Sequence, residues 1–167
     1  MLARDLLTSP WPDGLAHAEI NPLVEQDALL EAQALAISFD VKRATLGILL
    51  ELRTSMMMTE SNTGVLVAQG VQEFGWRGEA RDTELTAWSI LGSSVDQSPD
   101  LTMKLQFHPH AQMTIAMSSL RHLNVDAKEI GTDPPDYSLD RESIEASIAT
   151  WESEIAIVSG SSSTTAS

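Results

Sequence analysis

The residues of this 167-residue chain that could do chemistry are few in kind. With no cysteine, thiol nucleophiles, thiolate-held zinc, iron–sulfur clusters and disulfides are excluded together. Metal binding would fall to histidine. His108-Pro109-His110 is the tempting pair, because residues two apart on a strand present their rings to one side. Pro109 makes this a turn instead, and no acidic residue or third histidine lies near in sequence; only a sheet register could bring in His122. His108 and His110 are therefore expected as exposed turn residues, with no metal and no cofactor. Serines at 93, 94, 118 and 119 sit in no nucleophile elbow, so Ser–His chemistry has no frame. Gly70, Gly75 and Gly78 match neither a phosphate loop nor a dinucleotide fingerprint. Carboxylates are what remain. Hydrolysis of the glycosidase kind needs two in one cleft, and Asp40, Glu51 and Glu73 on neighbouring strands could supply them. Solvated charge on a sheet face accounts for the same residues.

Three further spots have residue types suited to contact. Asp40, Lys42, Arg43 and Arg53 form the one local concentration of basic charge, and an Arg53–Asp40 pair across adjacent strands is expected from the alternation. Phe74-Gly75-Trp76-Arg77 joins two aromatics to a guanidinium, which suits either a small binding platform or packing at the rim of a core. Met56-Met57-Met58 is adaptable apolar material for core, rim or protein contact.

Charge is the strongest global signal. The chain holds 24 Asp and Glu against 10 Lys and Arg, a net charge of −14. Such a protein repels a phosphate backbone and an anionic membrane surface, so neither nucleic acid nor membrane is the expected partner. A basic protein would be attracted and steered. The excess is also segregated: Asp126–Glu154 carries nine acidic residues and two basic ones, a local net charge of −7. Asp133, Asp136, Asp140, Glu142 and Glu145 are the partner-binding candidates within it, set against the alternative of a solvated helix face.

These residues need elements to position them. Pro10, Pro12, Gly14 and Pro22 limit the N-terminal segment 1–34 to short helices, with Pro22–Ala34 the better case because Pro22 suits a first helical position. From Leu35 the period becomes two. Strands are predicted around Leu35–Val41, Leu46–Leu52, Gly64–Phe74, Leu85–Gly92, Leu101–His108, Met113–Met117 and Leu123–Val125. Leu49, on the minority face of its strand, suggests cover on both sides. Bulges fit at Gly70, Gly75 and Ser118-Ser119. Gly131 to Asp136 closes a meander of six or so antiparallel strands. Ser138–Thr150 then reads as a short helix capped by Ser138 or Asp140, and Trp151–Val158 as a last strand. Residues 159–167, rich in serine, read as a disordered tail.

Phe39-Asp40-Val41-Lys42, Ala44–Leu50, the paired hairpin of Leu101–Val125 and the Asp133-Pro134-Pro135-Asp136-Tyr137 exit together resemble small, acidic, sheet-rich immunity proteins of bacterial polymorphic-toxin systems. The likeness covers about 100 residues and consists of pattern rather than a specific motif, so no family residue is carried over. It implies a cytoplasmic protein that binds and blocks a toxin and has no catalysis of its own. The expectation is then a mainly β, α+β fold. A single domain over 1–158 would be built on an antiparallel meander forming a curled sheet or sandwich, with short N- and C-terminal helices. Its function is expected to be non-enzymatic occlusion of a basic toxin. A carboxylate-based hydrolase or small-ligand-binding enzyme is the alternative. A structural component of a bacterial assembly, associating through Met56–Met58, is the second. Oligomeric state and strand order are left open.

Overall fold

Strict alternation builds the clearest strands. Leu101, Met103, Leu105 and Phe107 are buried while Lys104, Gln106 and His108 face out, and Ala111, Met113, Ile115 and Met117 repeat the pattern after Pro109-His110. In the computed structural model, which describes residues 1–81 and 85–165, these form β6 (Leu101–His108) and β7 (Ala111–Met117). The others are β1 (Gln33–Asp40), β2 (Thr45–Glu51), β3 (Thr63–Gln69), β4 (Glu73–Gly78), β5 (Trp88–Asp96), β8 (Ser119–Ala127) and β9 (Ile155–Thr164). Ala3–Leu7 forms a 3-10 helix, and one α-helix, α1, spans Arg141–Ser147. All the strand pairs are antiparallel, in one sheet of order β4-β7-β6-β5-β1-β2-β3-β8-β9 that does not close on itself. Among the described residues no helix is long and apolar enough to cross a membrane.

The expected single strand Gly64–Phe74 is two, β3 and β4, separated by a corner. Gly70 takes φ +60°, and a Cβ there would lie 2.5 Å from the Ser118 hydroxyl. Opposite it, Ser118 separates β7 from β8 and donates its N–H to the Gln69 carbonyl. Pairing runs Gln69 opposite Ser119 and then Glu73 opposite Ala116, so Gly70–Gln72 holds one residue more than the chain opposite it, the bulge expected at Gly70 rather than one at Ser118-Ser119. This corner carries β7 and β8, consecutive in the chain, to nearly opposite ends of the strand order. Leu46, Ile48 and Leu50 of β2 share one buried cluster with Met103, Leu105, Met113 and Ile115, so the sheet wraps around its main core. Leu23, Leu29 and Ala32 pack against the same cluster from the N-terminal segment.

β2 is buried along its whole length, as Leu49 suggested. Its second face, with Val65, Val67, Leu123 and Val125, is covered by Ala3, Leu6, Ala149 and Trp151. Gly47 is required where this cover comes closest: a Cβ would meet Leu7 at 2.3 Å and Trp151 at 2.8 Å.

Several expectations are corrected. In place of the expected Pro22–Ala34 helix, residues 22–31 are a run of turns and Gln33 and Ala34 already belong to β1, because Asp27 and Glu31 take positive φ (58° and 65°) and no helix continues through such residues. Residues 159–164 of the expected disordered tail are part of β9, with Ser159, Ser161 and Ser163 opposite Asn124, His122 and Leu120. Serine composition suggested a solvated tail, yet small side chains fit an inward face where β8 presents Asn124 and His122. Residues 166–167 of that tail lie outside the described residues, as do 82–84 of the link before β5, which begins at Trp88 rather than Leu85. Among the described residues nine strands form one unclosed hydrogen-bonded sheet, where a meander of six or so strands and a last strand were expected. The last strand begins at Ile155; Trp151 lies ahead of it, packed against the second cluster.

Candidate functional site

Glu51, the last residue of β2, is fully buried, and a buried carboxylate needs a partner. Arg53 supplies it. Its Nη2 donates to Glu51 Oε2 at 2.6 Å, and its Nε donates to Oε1 at 2.7 Å, a two-pronged contact suited to a planar guanidinium. The remaining donors reach backbone carbonyls of the acidic segment. Nη1 donates to Ile130 O (2.8 Å) and Asp133 O (2.6 Å), and Nη2 to Ser147 O (2.6 Å), at the end of α1. Terminal helix carbonyls lack intrahelical donors, so a cation there is favourable. One arginine therefore ties the end of β2 to both sides of the acidic segment. The expected Arg53–Asp40 pair does not form: Asp40 and Glu51 stand at opposite ends of the β1–β2 hairpin. Asp40 instead pairs with Arg43 (2.7 Å) in the turn, which holds its carboxyl below the usual range. Tyr137, half-buried nearby, is pushed upward by burial and by the charge of Glu51.

The five predicted contact residues are all exposed on this tethered segment. Their carboxylates have different local work. Asp136 Oδ1 accepts from the Ser138 hydroxyl (2.6 Å) and N–H (2.9 Å), and these hydrogen bonds lower its pKa. Asp140 caps α1 by accepting the Ser143 N–H at 2.7 Å, which lowers its pKa likewise. Glu145 pairs with Arg141 at 2.9 Å. Asp133 and Glu142 belong to no ion pair among the described residues. Around them, Glu152 pairs with Arg4 and Glu154 with Lys128, which depresses the Glu154 carboxyl.

Other candidate constellations are not assembled. His108 ends β6, His110 follows in the turn, and His122 lies buried in β8; no described group of three His, Asp or Glu could hold a metal. Asp40, Glu51 and Glu73 do not share a cleft, since Glu51 is enclosed by Arg53 while Glu73 is exposed on the edge strand β4. An open hollow of about 450 Å³ does bring Glu60 and Asp126 together beside Arg53 and Thr132. Glu60 is spent on structure there, accepting from the Glu19 N–H (2.8 Å), Asn124 Nδ2 (3.0 Å) and the Ser159 hydroxyl (3.2 Å). Each carboxylate with a resolved shift (Asp40, Asp136, Asp140 and Glu154) moves down, opposite to what a general acid needs.

Met56-Met57-Met58 is divided, with Met56 and Met57 exposed and Met58 buried in the main core. The Phe74–Arg77 run sits at the rim: Phe74 lies 4.8 Å from Phe39, and Trp76 about 5 Å from both Trp88 and Phe107. The site residue that the sequence reading missed is Glu51 as the partner of Arg53. Its signal was the Glu-x-Arg spacing at a strand end, which places both side chains on one face. Comparison of this chain with family models, with curated proteins and with solved structures finds no match.

Proposed function

We propose that this chain is a cytoplasmic, non-enzymatic binding protein of the immunity type, and that its acidic segment docks a basic protein partner such as a toxin domain. The observation that carries the reading is the division of labour around Arg53. Its guanidinium fixes the backbone at Ile130, Asp133 and Ser147, while Asp133, Asp136, Asp140 and Glu142 face solvent. Charges on a backbone held in place cost less ordering on association than charges on a loose loop. Their number steers a cationic partner into encounter. The mechanism is steric occlusion, with carboxylates taking the place that substrate phosphates hold in a basic cleft.

Co-expression with the product of the neighbouring gene tests this. The expected result is relief of toxicity and a co-purifying complex whose affinity falls steeply as salt rises. Combined Asp133→Asn and Glu142→Gln substitution should weaken that complex while leaving the fold intact. An affinity indifferent to ionic strength, or rescue untouched by the neutralised variant, would remove charge mimicry from consideration.

A further inference from the structure

We propose that the free edge of β4 is a self-docking site, where a second copy of this chain pairs strand to strand about a two-fold axis through Gly75. β4 is an end strand of the sheet, and all six of its residues are exposed. Edge strands commonly carry lysine, proline or a covering segment that prevents pairing. The other end strand, β9, has such a cover: Ala16 and Ala18 bond to Gly160 along its edge. β4 contains no lysine and no proline, and presents Phe74 and Trp76 about 40% exposed (40% and 41%).

The backbone selects the register. Glu79 donates its N–H to His110 O, the residue opposite it when the β4–β7 register is extended. By strand alternation, the N–H and C=O groups of Phe74 and Trp76 then point away from β7, toward the open edge. In an antiparallel pair, outward-pointing residues must face outward-pointing residues. Placing Gly75 opposite Gly75 of the second copy meets this rule. Phe74 then lies opposite Trp76 of the second copy and exchanges both backbone hydrogen bonds with it, and the symmetry repeats the pair.

The side chains of Glu73-Phe74-Gly75-Trp76-Arg77 fit that register on both faces. The sequence reads acid, aromatic, glycine, aromatic, base, so reversal brings acid to base and aromatic to aromatic. On one face, the half-exposed rings of Phe74 and Trp76 cover each other's counterparts. These rings are already seated against Phe39, Trp88 and Phe107, so little rotamer freedom is left to lose. On the other face, Glu73 meets Arg77 of the second copy, twice. Neither residue takes part in an ion pair among the described residues. At Gly75 a Cβ would find no atom within 4 Å, so the sheet face beside the axis is open. Sliding the register by two residues in either direction sets Arg77 or Glu73 against Gly75 and loses both charge pairs.

Sedimentation velocity over a concentration series tests the proposal, with Glu73→Arg and Arg77→Glu as probes. Both positions are exposed, and circular dichroism checks that each variant folds. Wild-type protein should shift from monomer to dimer as concentration rises. Each single variant places like charges across the axis and should weaken the dimer by about tenfold or more. An equimolar mixture of the two variants restores opposite charges at both contacts and should dimerise again, as should the double charge swap. A wild-type protein that stays monomeric throughout the series would overturn the proposal. So would a mixture that associates no better than its separate components.

Discussion

Arg53 shows how one residue's role depends on what surrounds it. A buried ion pair contributes little net stability by itself, because desolvation offsets the attraction. Removing one member is different, since a buried charge is left alone. Arg53→Ala should therefore destabilise the protein by about 3–5 kcal/mol, whereas Glu51→Leu with Arg53→Met should recover most of that loss. Urea unfolding of the three proteins measures it, and a double variant no better than the single one would show that the carbonyl contacts, not the ion pair, dominate. His122 is the second case. Its ring is fully buried between Leu66 and Ser161 of the neighbouring strands, and neither nitrogen meets a hydrogen-bond partner among the described residues. Asn124, on the same face, is tied to Glu60 and Ser159. Burial drives the His122 pKa down to about 3 from an ordinary 6.5. Above pH 6.5 both states are neutral and stability is full. As pH falls below 6.5, the unfolded chain takes up the proton and the folded chain does not. Stability then drops by about 1.4 kcal/mol per pH unit until the folded ring itself titrates. His122→Leu should flatten this slope between pH 6.5 and 4.5, before the carboxylates contribute; an unchanged slope in unfolding titrations would place the proton uptake elsewhere. The sequence offered no sign of this burial, because a lone histidine in a strand has the same spelling whether its face is covered or open.

At the level of elements, alternation was legible where one face meets water. β6 follows its expected span, and β7 begins at Ala111, two residues before the expected Met113, because Lys104, Gln106 and Gln112 mark the outside. Asp140 as the cap of α1 was legible for a similar reason, since its chemistry is local. Two elements were misread because their stabilisation comes from distant residues. The segment after Pro22 has helix-compatible acids, but Leu23, Leu29 and Ala32 are drawn individually into the main core, and turns deliver them there. The serine run has no apolar period, yet β8 offers it a complete ladder and polar partners, with Asn124 Nδ2 donating to the Ser159 hydroxyl at 2.9 Å. Deleting residues 159–167 separates the two descriptions. A solvated tail could be lost without consequence. Loss of this half of β9 instead exposes one edge of β8, strips cover from His122 and Asn124, and removes a Glu60 partner. The expected outcome is a drop in stability of several kcal/mol, or failure to fold, since buried polar groups and a sheet edge are exposed together. Thermal unfolding followed by circular dichroism reads it, and a truncated chain with the wild-type midpoint would contradict the placement of β9.

At the scale of the whole molecule, charge was legible and shape was not. The acidic excess after residue 126 follows from counting. The wrapping of the sheet does not, because β7 and β8 look in sequence like one interrupted strand. The extra residue at the Gly70 corner, opposite Ser118, sends them to different parts of the sheet. Shape then gives the charge its meaning, since the corner and the Arg53 tether decide which carboxylates hold structure and which only add to the field. Asp136 and Asp140 accept backbone N–H groups, so Asp140→Ala should lower the unfolding midpoint, as losing an N-cap does. Asp133 lends its carbonyl to Arg53, but its carboxylate belongs to no described ion pair. Asp133→Asn keeps the carbonyl contact and removes one charge from a crowded set, so it should be neutral or slightly stabilising at low salt. Raising ionic strength from about 0.01 M to about 0.3 M shortens the screening length from about 30 Å to well under 10 Å. This relieves the remaining repulsion and should raise the unfolding midpoint of the wild-type protein. Asp133→Asn should gain less from salt than wild type, and so should Asp140→Ala, which also removes one negative charge, from a lower start. A midpoint that falls with salt would mean that the exposed pairs Arg4–Glu152, Lys128–Glu154 and Arg141–Glu145 outweigh the like-charge repulsion. The acidic surface would then be a balanced ion-pair network rather than a field directed at a partner.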